Sequence, residues 1–148
     1  MNSCVILCIE IALEKMENTP LNSLVIYRKS LALRDLSEAV ASYFSYNKEK
    51  LSFRKIDHFR NDVTQSLKTD ALLITKEVEQ AALSNSYSVQ MKSLTFINIM
   101  TRNILAYCNG LEMDGVKEKE YLNLLRGEIK AFRSSFKKWR KSILNRND

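Results

Sequence analysis

Leu125, Ile129, Phe132, Phe136, Trp139 and Ile143 recur at intervals of four, three, four, three and four residues. A strand exposes alternate residues to each face, so this row is built only by an α-helix, which brings i+3 and i+4 together on one side. The helix it predicts runs from about Val116 to Leu144. A helix of that length with one regular apolar seam is not stable alone in water. It requires other helices against which to bury the seam.

Three further segments supply them. From about Asn22 to Ser45, Leu24, Leu31, Leu33, Leu36, Val40, Tyr43 and Phe44 fall at helical spacing, with Asn22 or Ser23 available as N-cap. From about Phe53 to Leu83, Ile56, Phe59, Val63, Leu67, Ile74, Val78 and Ala81 are spaced three, four, four, seven, four and three. Asp70 falls among them, and is expected at the edge of that face or against a cation. Ser84-Asn85-Ser86 breaks the pattern, and a third helix follows from about Ser88 to Asn109 with Gly110 placed to end it. Its Val89, Met91, Leu94, Phe96, Ile97, Ile99, Met100, Ile104, Leu105 and Tyr107 cover most of its circumference, the pattern of a central helix or one at an oligomer contact.

The links between these segments, Tyr46 to Glu49, Ser84 to Ser86 and Leu111 to Gly115, are short. Short links make consecutive helices antiparallel neighbours. Only 3 Gly and 1 Pro occur in 148 residues, too few for the tight corners of a sheet protein. The expected class is therefore all-α: an antiparallel up-down four-helix bundle over residues 17–148, with residues 1–16 as a short N-terminal extension. In that extension Val5-Ile6-Leu7-Cys8-Ile9 is interrupted by Glu10, and no Lys or Arg precedes it. It matches neither a secretory signal nor a membrane span, which needs about 20 apolar residues. Met16-Glu17-Asn18-Thr19-Pro20 reads as a polar leader before the first bundle helix. Cys4, Cys8 and Cys108 are odd in number and contain no CxxC pair, so reduced, partly buried thiols in a cytoplasmic protein are expected.

Signatures of catalysis are thin. No glycine-rich phosphate loop and no GxSxG elbow is present, and Gly110, Gly115 and Gly127 stand apart. His58 is the single histidine, too few for a typical zinc site. Arg54 and His58 have three residues between them, one short of the spacing in a helical ribonuclease family, and a surface histidine beside Asp57 is the simpler reading. The paired carboxylates Glu77 and Glu79, and Glu118 and Glu120, are two residues apart and point to different sides of a helix. The bundle is read as non-enzymatic, with no catalytic residues, metal or cofactor.

Charge is more informative. Within residues 126–146 stand Arg126, Lys130, Arg133, Lys137, Lys138, Arg140, Lys141 and Arg146 against one acid, Glu128, a local charge of +7 in a chain whose total is +6. Arg126, Lys130, Arg133, Lys137 and Lys141 repeat at four, three, four and four, one residue after the apolar row, and so about 100° around the same helix. Like charges at i,i+4 repel mildly, and compensation of the helix dipole acts only in the last turn. The dipole therefore does not explain a line of cations that starts five turns earlier, which leaves a merely solvated charged face or an anionic partner: nucleic acid, acidic protein or lipid. Phosphates of RNA or DNA are the leading candidate, held by Arg126, Lys130, Arg133, Lys137, Lys138, Arg140 and Lys141 with little reading of sequence. Tyr121 and Trp139 are the rings available for base stacking, although Trp139 also continues the apolar row. The alternative is a protein-interaction module that assembles through the apolar third helix without nucleic acid.

Leu24-Val25-Ile26-Tyr27-Arg28-Lys29-Ser30-Leu31-Ala32-Leu33 resembles the first helix of the small four-helix-bundle proteins encoded in 23S ribosomal RNA intervening sequences. That family includes the accessory variability determinant of diversity-generating retroelements. The apolar third helix, the Gly-containing turn and the basic last helix with Phe136-Lys137-Lys138-Trp139 are similar in layout. The likeness covers about Asn22 to Leu144. It implies a homo-oligomer, a pentameric barrel with a positive surface, and for the retroelement branch binding to RNA and to a reverse transcriptase. The Asn-Ile-Ala-Glu-Gly stretch of the ribosomal branch is absent; Ile74-Thr75-Lys76-Glu77-Val78 stands where it would fall.

Overall fold

The computed structural model describes residue 6 and residues 20–46 and 56–146. A 3₁₀ turn, Pro20–Ser23, leads into four helices: α1 (Val25–Tyr46), α2 (Ile56–Leu83), α3 (Tyr87–Met113) and α4 (Lys119–Arg146). Residues 1–16, apart from residue 6, and the connection at 47–55 lie outside the described residues. Among the described residues there is no strand.

Each helix packs against the next, and α4 closes the ring by packing against α1. Polar and aromatic contacts give the directions. The Tyr27 hydroxyl near the start of α1 donates to Glu79 Oε1 near the end of α2 at 3.1 Å, while Ser45 at the far end donates to Thr64 Oγ1 at 2.8 Å. Asp70 of α2 meets Asn103 and Tyr107 of α3, Arg126 of α4 meets Asn109 and Glu112 of α3, and the Tyr43 and Tyr121 rings join the end of α1 to the start of α4. Every neighbouring pair is therefore antiparallel. The up-down four-helix bundle expected from the periodicities is the observed fold.

The seam of α4 fills the centre. Leu125, Ile129, Phe132, Phe136 and Ile143 are buried, and Trp139 packs half-buried against them. Leu33, Val40 and Phe44 of α1, Leu67, Ile74 and Val78 of α2, and Ile97, Ile104 and Leu111 of α3 face them. Ser30, Ser37 and Ala41 of α1 and Ala71 and Thr75 of α2 are small buried residues. Thr75 Oγ1 reaches across to the Ser30 carbonyl at 3.3 Å, and Ser30 donates back to its own helix at Tyr27 O. Ser37 Oγ is buried without a hydrogen-bond partner among the described residues.

The turns explain where helices stop. Ser86 caps α3 by accepting from the Val89 N–H, and Gln90 Nε2 reaches back to the carbonyls of Ser84 and Ala81, which α2 leaves unsatisfied. At its other end α3 runs through Gly110 to Met113, rather than stopping at Gly110. The residue that ends it is Gly115, with φ of 84°. Gly115 N–H bonds Glu112 O and Val116 N–H bonds Leu111 O, while the Val116 and Leu111 side chains are buried. That is a Schellman closure, which needs a residue tolerant of positive φ followed by an apolar one. Gly110 has no such successor pair. The turn is then fastened to α2, because Arg60 Nε donates to Asp114 Oδ2 at 2.8 Å.

Candidate nucleic-acid interface

The apolar seam of α4 decides how its cations are displayed. With the seam directed at the centre, residues one step ahead of it lean toward one neighbour and residues one step behind lean toward the other. Arg126 reaches Asn109 and Glu112 of α3, and Arg140 borders a small cleft with Met91, Leu94, Thr95 and Asn98, also of α3. Tyr121, Ser135 and Trp139 lie on the opposite flank, against α1. Glu128, seven residues from both Tyr121 and Ser135, shares that α1 flank. The basic row and the nearest acid on its own helix are thus turned to opposite sides.

Arg126, Lys130, Arg133 and Lys137 line one open groove of about 580 Å³ between α4 and α3, with Ser134. Its floor is apolar, made by Leu105 and Ile129. Arg140 continues the inner row, seven residues after Arg133, and Lys141 continues the outer row, four after Lys137. Lys130, Lys137, Arg140 and Lys141 are exposed and Arg133 is half-buried. The arginines at 126, 133 and 140 lean toward α3, and the lysines at 130, 137 and 141 stand farther out. Lys138 does not join them. It lines a separate pocket with Leu24, Val25, Ile26 and Trp139 on the α1 side.

Among the described residues the ion pairs are Arg34–Asp35, Arg60–Asp114 and Arg126–Glu112. Lys130, Arg133, Lys137, Arg140 and Lys141 therefore have no carboxylate partner there. Arg126 differs from them. Its guanidinium is held by Glu112 and by the side-chain carbonyls of Asn109 at 2.9 Å and Asn123 at 3.0 Å. It closes one end of the groove while the rest of the row is left uncompensated.

Arg102 is a cation near the groove that the sequence pattern did not single out. It is exposed on α3, three residues before the groove residue Leu105, and so stands on the flank turned to α4. Its signal was available only to a reader who knew which side of α3 meets α4. Besides Arg102, α3 carries Lys92, and its one acid is Glu112.

The rings considered for stacking are elsewhere. Tyr121 packs on Tyr43 with centroids 4.7 Å apart, and Trp139 packs on Phe136 at 6.5 Å. No aromatic side chain lines the α3–α4 groove. Asp70 sits at the edge of the α2 face, as one of its two expected placements, and accepts from Tyr107 at 2.9 Å and Asn103 at 3.2 Å. Burial and that hydrogen bond raise the Tyr107 phenol above its ordinary range. Burial pushes the Cys108 thiol up to about 11, with Arg126 pulling it the other way. Cys4, Cys8 and Arg54 lie outside the described residues, and His58 is exposed near the start of α2. Among the described residues no three His, Cys, Asp or Glu side chains gather where they could hold a metal ion, and no helix is long and apolar enough to cross a membrane.

No family model, no curated protein and no solved structure matches this chain.

Proposed function

We propose that this chain is a non-enzymatic accessory protein of the cytoplasm that binds nucleic acid, RNA first, through phosphate contacts along the α3–α4 groove. The observation that carries the reading is the row Lys130, Arg133, Lys137, Arg140 and Lys141, gathered on one flank without carboxylate partners among the described residues. Cations left uncompensated in a line repel one another, and an anionic polymer relieves that repulsion while releasing its own counterions. The retroelement resemblance extends the proposal to a reverse transcriptase as protein partner and to a homo-oligomer, a pentamer in that family. Phe96 and Ile99, 41% and 46% exposed on α3, are among the exposed apolar residues available for a subunit contact. The same two residues are what favours the second reading, a protein-interaction module without nucleic acid.

Binding to a structured RNA and to duplex DNA across a salt series tests the proposal, beside sedimentation for the oligomer. Affinity that falls steeply with salt, and that is lost in Lys130→Glu with Lys137→Glu, is expected. Both lysines are exposed, so the double variant should keep the fold. No binding at low salt, or affinity indifferent to the two charge reversals, overturns it.

A further inference from the structure

The groove carries more information than its charge, because it shows which form of nucleic acid it suits. Proteins that hold single strands pair a cationic track with aromatic faces on which unstacked bases lie. Here the track and the rings are on opposite flanks of α4. The cations line the groove toward α3, while Tyr121 and Trp139 lie against α1. Phe132 and Phe136 are buried in the core. The floor beneath the cations is Leu105 and Ile129, which offer a base edge no hydrogen bond. The Asn109 side-chain carbonyl is taken by Arg126, and Ser134 is the one uncharged polar side chain in the groove lining.

The spacing points the same way. From Lys130 to Lys141 the helix rises about 16 Å and carries five cations, one per roughly 4 Å of axis. A duplex presents a phosphate about every 3.4 Å of axis along each strand. Over that length of axis a duplex carries about ten phosphates, both strands counted, wound about it, so those that face the row suffice for its five cations. An extended single strand, free of the helical winding that shortens it, spaces its phosphates more widely and offers the row fewer partners.

We infer that the α3–α4 groove recognises the phosphate backbone of a double helix, with the bases left stacked and unread. This rests on the nucleic-acid reading above and names its substrate class. Shared backbone chemistry admits either an RNA or a DNA duplex, and the two are separate arms of the test.

The test compares fully paired RNA and fully paired DNA of equal length with oligouridylate and oligothymidylate, using the full chain. Expected are tighter binding to at least one duplex than to either homopolymer, and a slope of log affinity against log salt on duplex DNA of about −4.5 for the five contacts of the row, or about −5.4 with Arg102 as a sixth. Trp139 is the only tryptophan, so its emission reports stacking directly. It should stay unquenched when a duplex binds. Homopolymers that bind as tightly as both duplexes, or quenching of Trp139 on binding, overturn the inference and leave nucleic-acid binding itself standing. Absence of binding to all four probes overturns the function from which the inference starts. A duplex preference for RNA alone or DNA alone supports the inference and identifies the source.

Discussion

Among the described residues Glu112 is the one carboxylate paired with a cation of the groove, and removing its charge should strengthen binding. In the free protein it neutralises Arg126, with side-chain exposures of 38% and 24% for the two partners. Such a partly solvated pair contributes about 0.5–1 kcal/mol to stability. For a chain of this size Glu112→Gln should then lower Tm by no more than about 4 °C. Arg126 remains held by Asn109 and Asn123, but its charge becomes available to one further phosphate. One added contact steepens the salt slope by about 0.9, so between 50 and 200 mM salt the variant's affinity should fall about 3.5-fold more than that of the unaltered chain. Glu128→Gln is the control, because it makes the same change in net charge on the α1 flank. Fluorescence anisotropy with a labelled duplex at four or more salt concentrations, with thermal melts in parallel, reads both quantities. An unchanged slope in Glu112→Gln, or equal effects of the two substitutions, would refute the view that the groove is local and that Arg126 is held in reserve at its end.

Other outcomes follow from the same geometry. Arg102→Gln should reduce the salt slope by about 0.9, although this residue is on α3 and far from the basic run in sequence; a slope equal to that of the unaltered chain would remove Arg102 from the groove. Phe132→Ala, at a side chain with 0% exposure, should destabilise by about 3–5 kcal/mol in urea or guanidinium unfolding. Gly115→Ala, at a φ of 84°, should cost about 1 kcal/mol in the same assay, and an unaffected midpoint would contradict the Schellman closure. Cys108 should resist thiol reagents in the native state of a Cys4→Ser, Cys8→Ser variant and react on unfolding. Its thiol, raised from 9.0 to about 11 by burial, ionises first in the unfolded chain. Stability linked to it is therefore present below pH 9 and lost as pH rises toward 11, and urea unfolding of that variant across this range, against its Cys108→Ala counterpart, measures the loss.

Much of the fold was legible because helical periodicity is a local property. The row from Leu125 to Ile143 requires only that side chains three and four apart share a face, and its members are buried or packed on the core as expected. The α3 end was less legible. Gly110 and Gly115 both suit a helix terminus by composition, but the closure uses Gly115 because Val116 can bury itself beside Leu111. Phe59 belongs to the apolar row of α2 yet is 48% exposed, with only the tip of its ring set over Gly110 of α3.

What the sequence by itself determined is which residues of α4 share a face: the seam, and the basic row about 100° around from it. That depends only on rise and turn per residue. Which neighbour lies beside each flank depends on how four helices close into a ring, and spacing within one helix contains no such information. The tertiary structure placed α3 beside the arginines, set Arg102 of that helix on the flank turned to α4, and turned Lys138, Trp139 and Glu128 toward α1. It also paired Arg126 with Glu112 and left Lys130, Arg133, Lys137, Arg140 and Lys141 without a carboxylate among the described residues. A charge is compensated or not according to what stands within a few ångströms of it, and across helices that distance is set by packing alone.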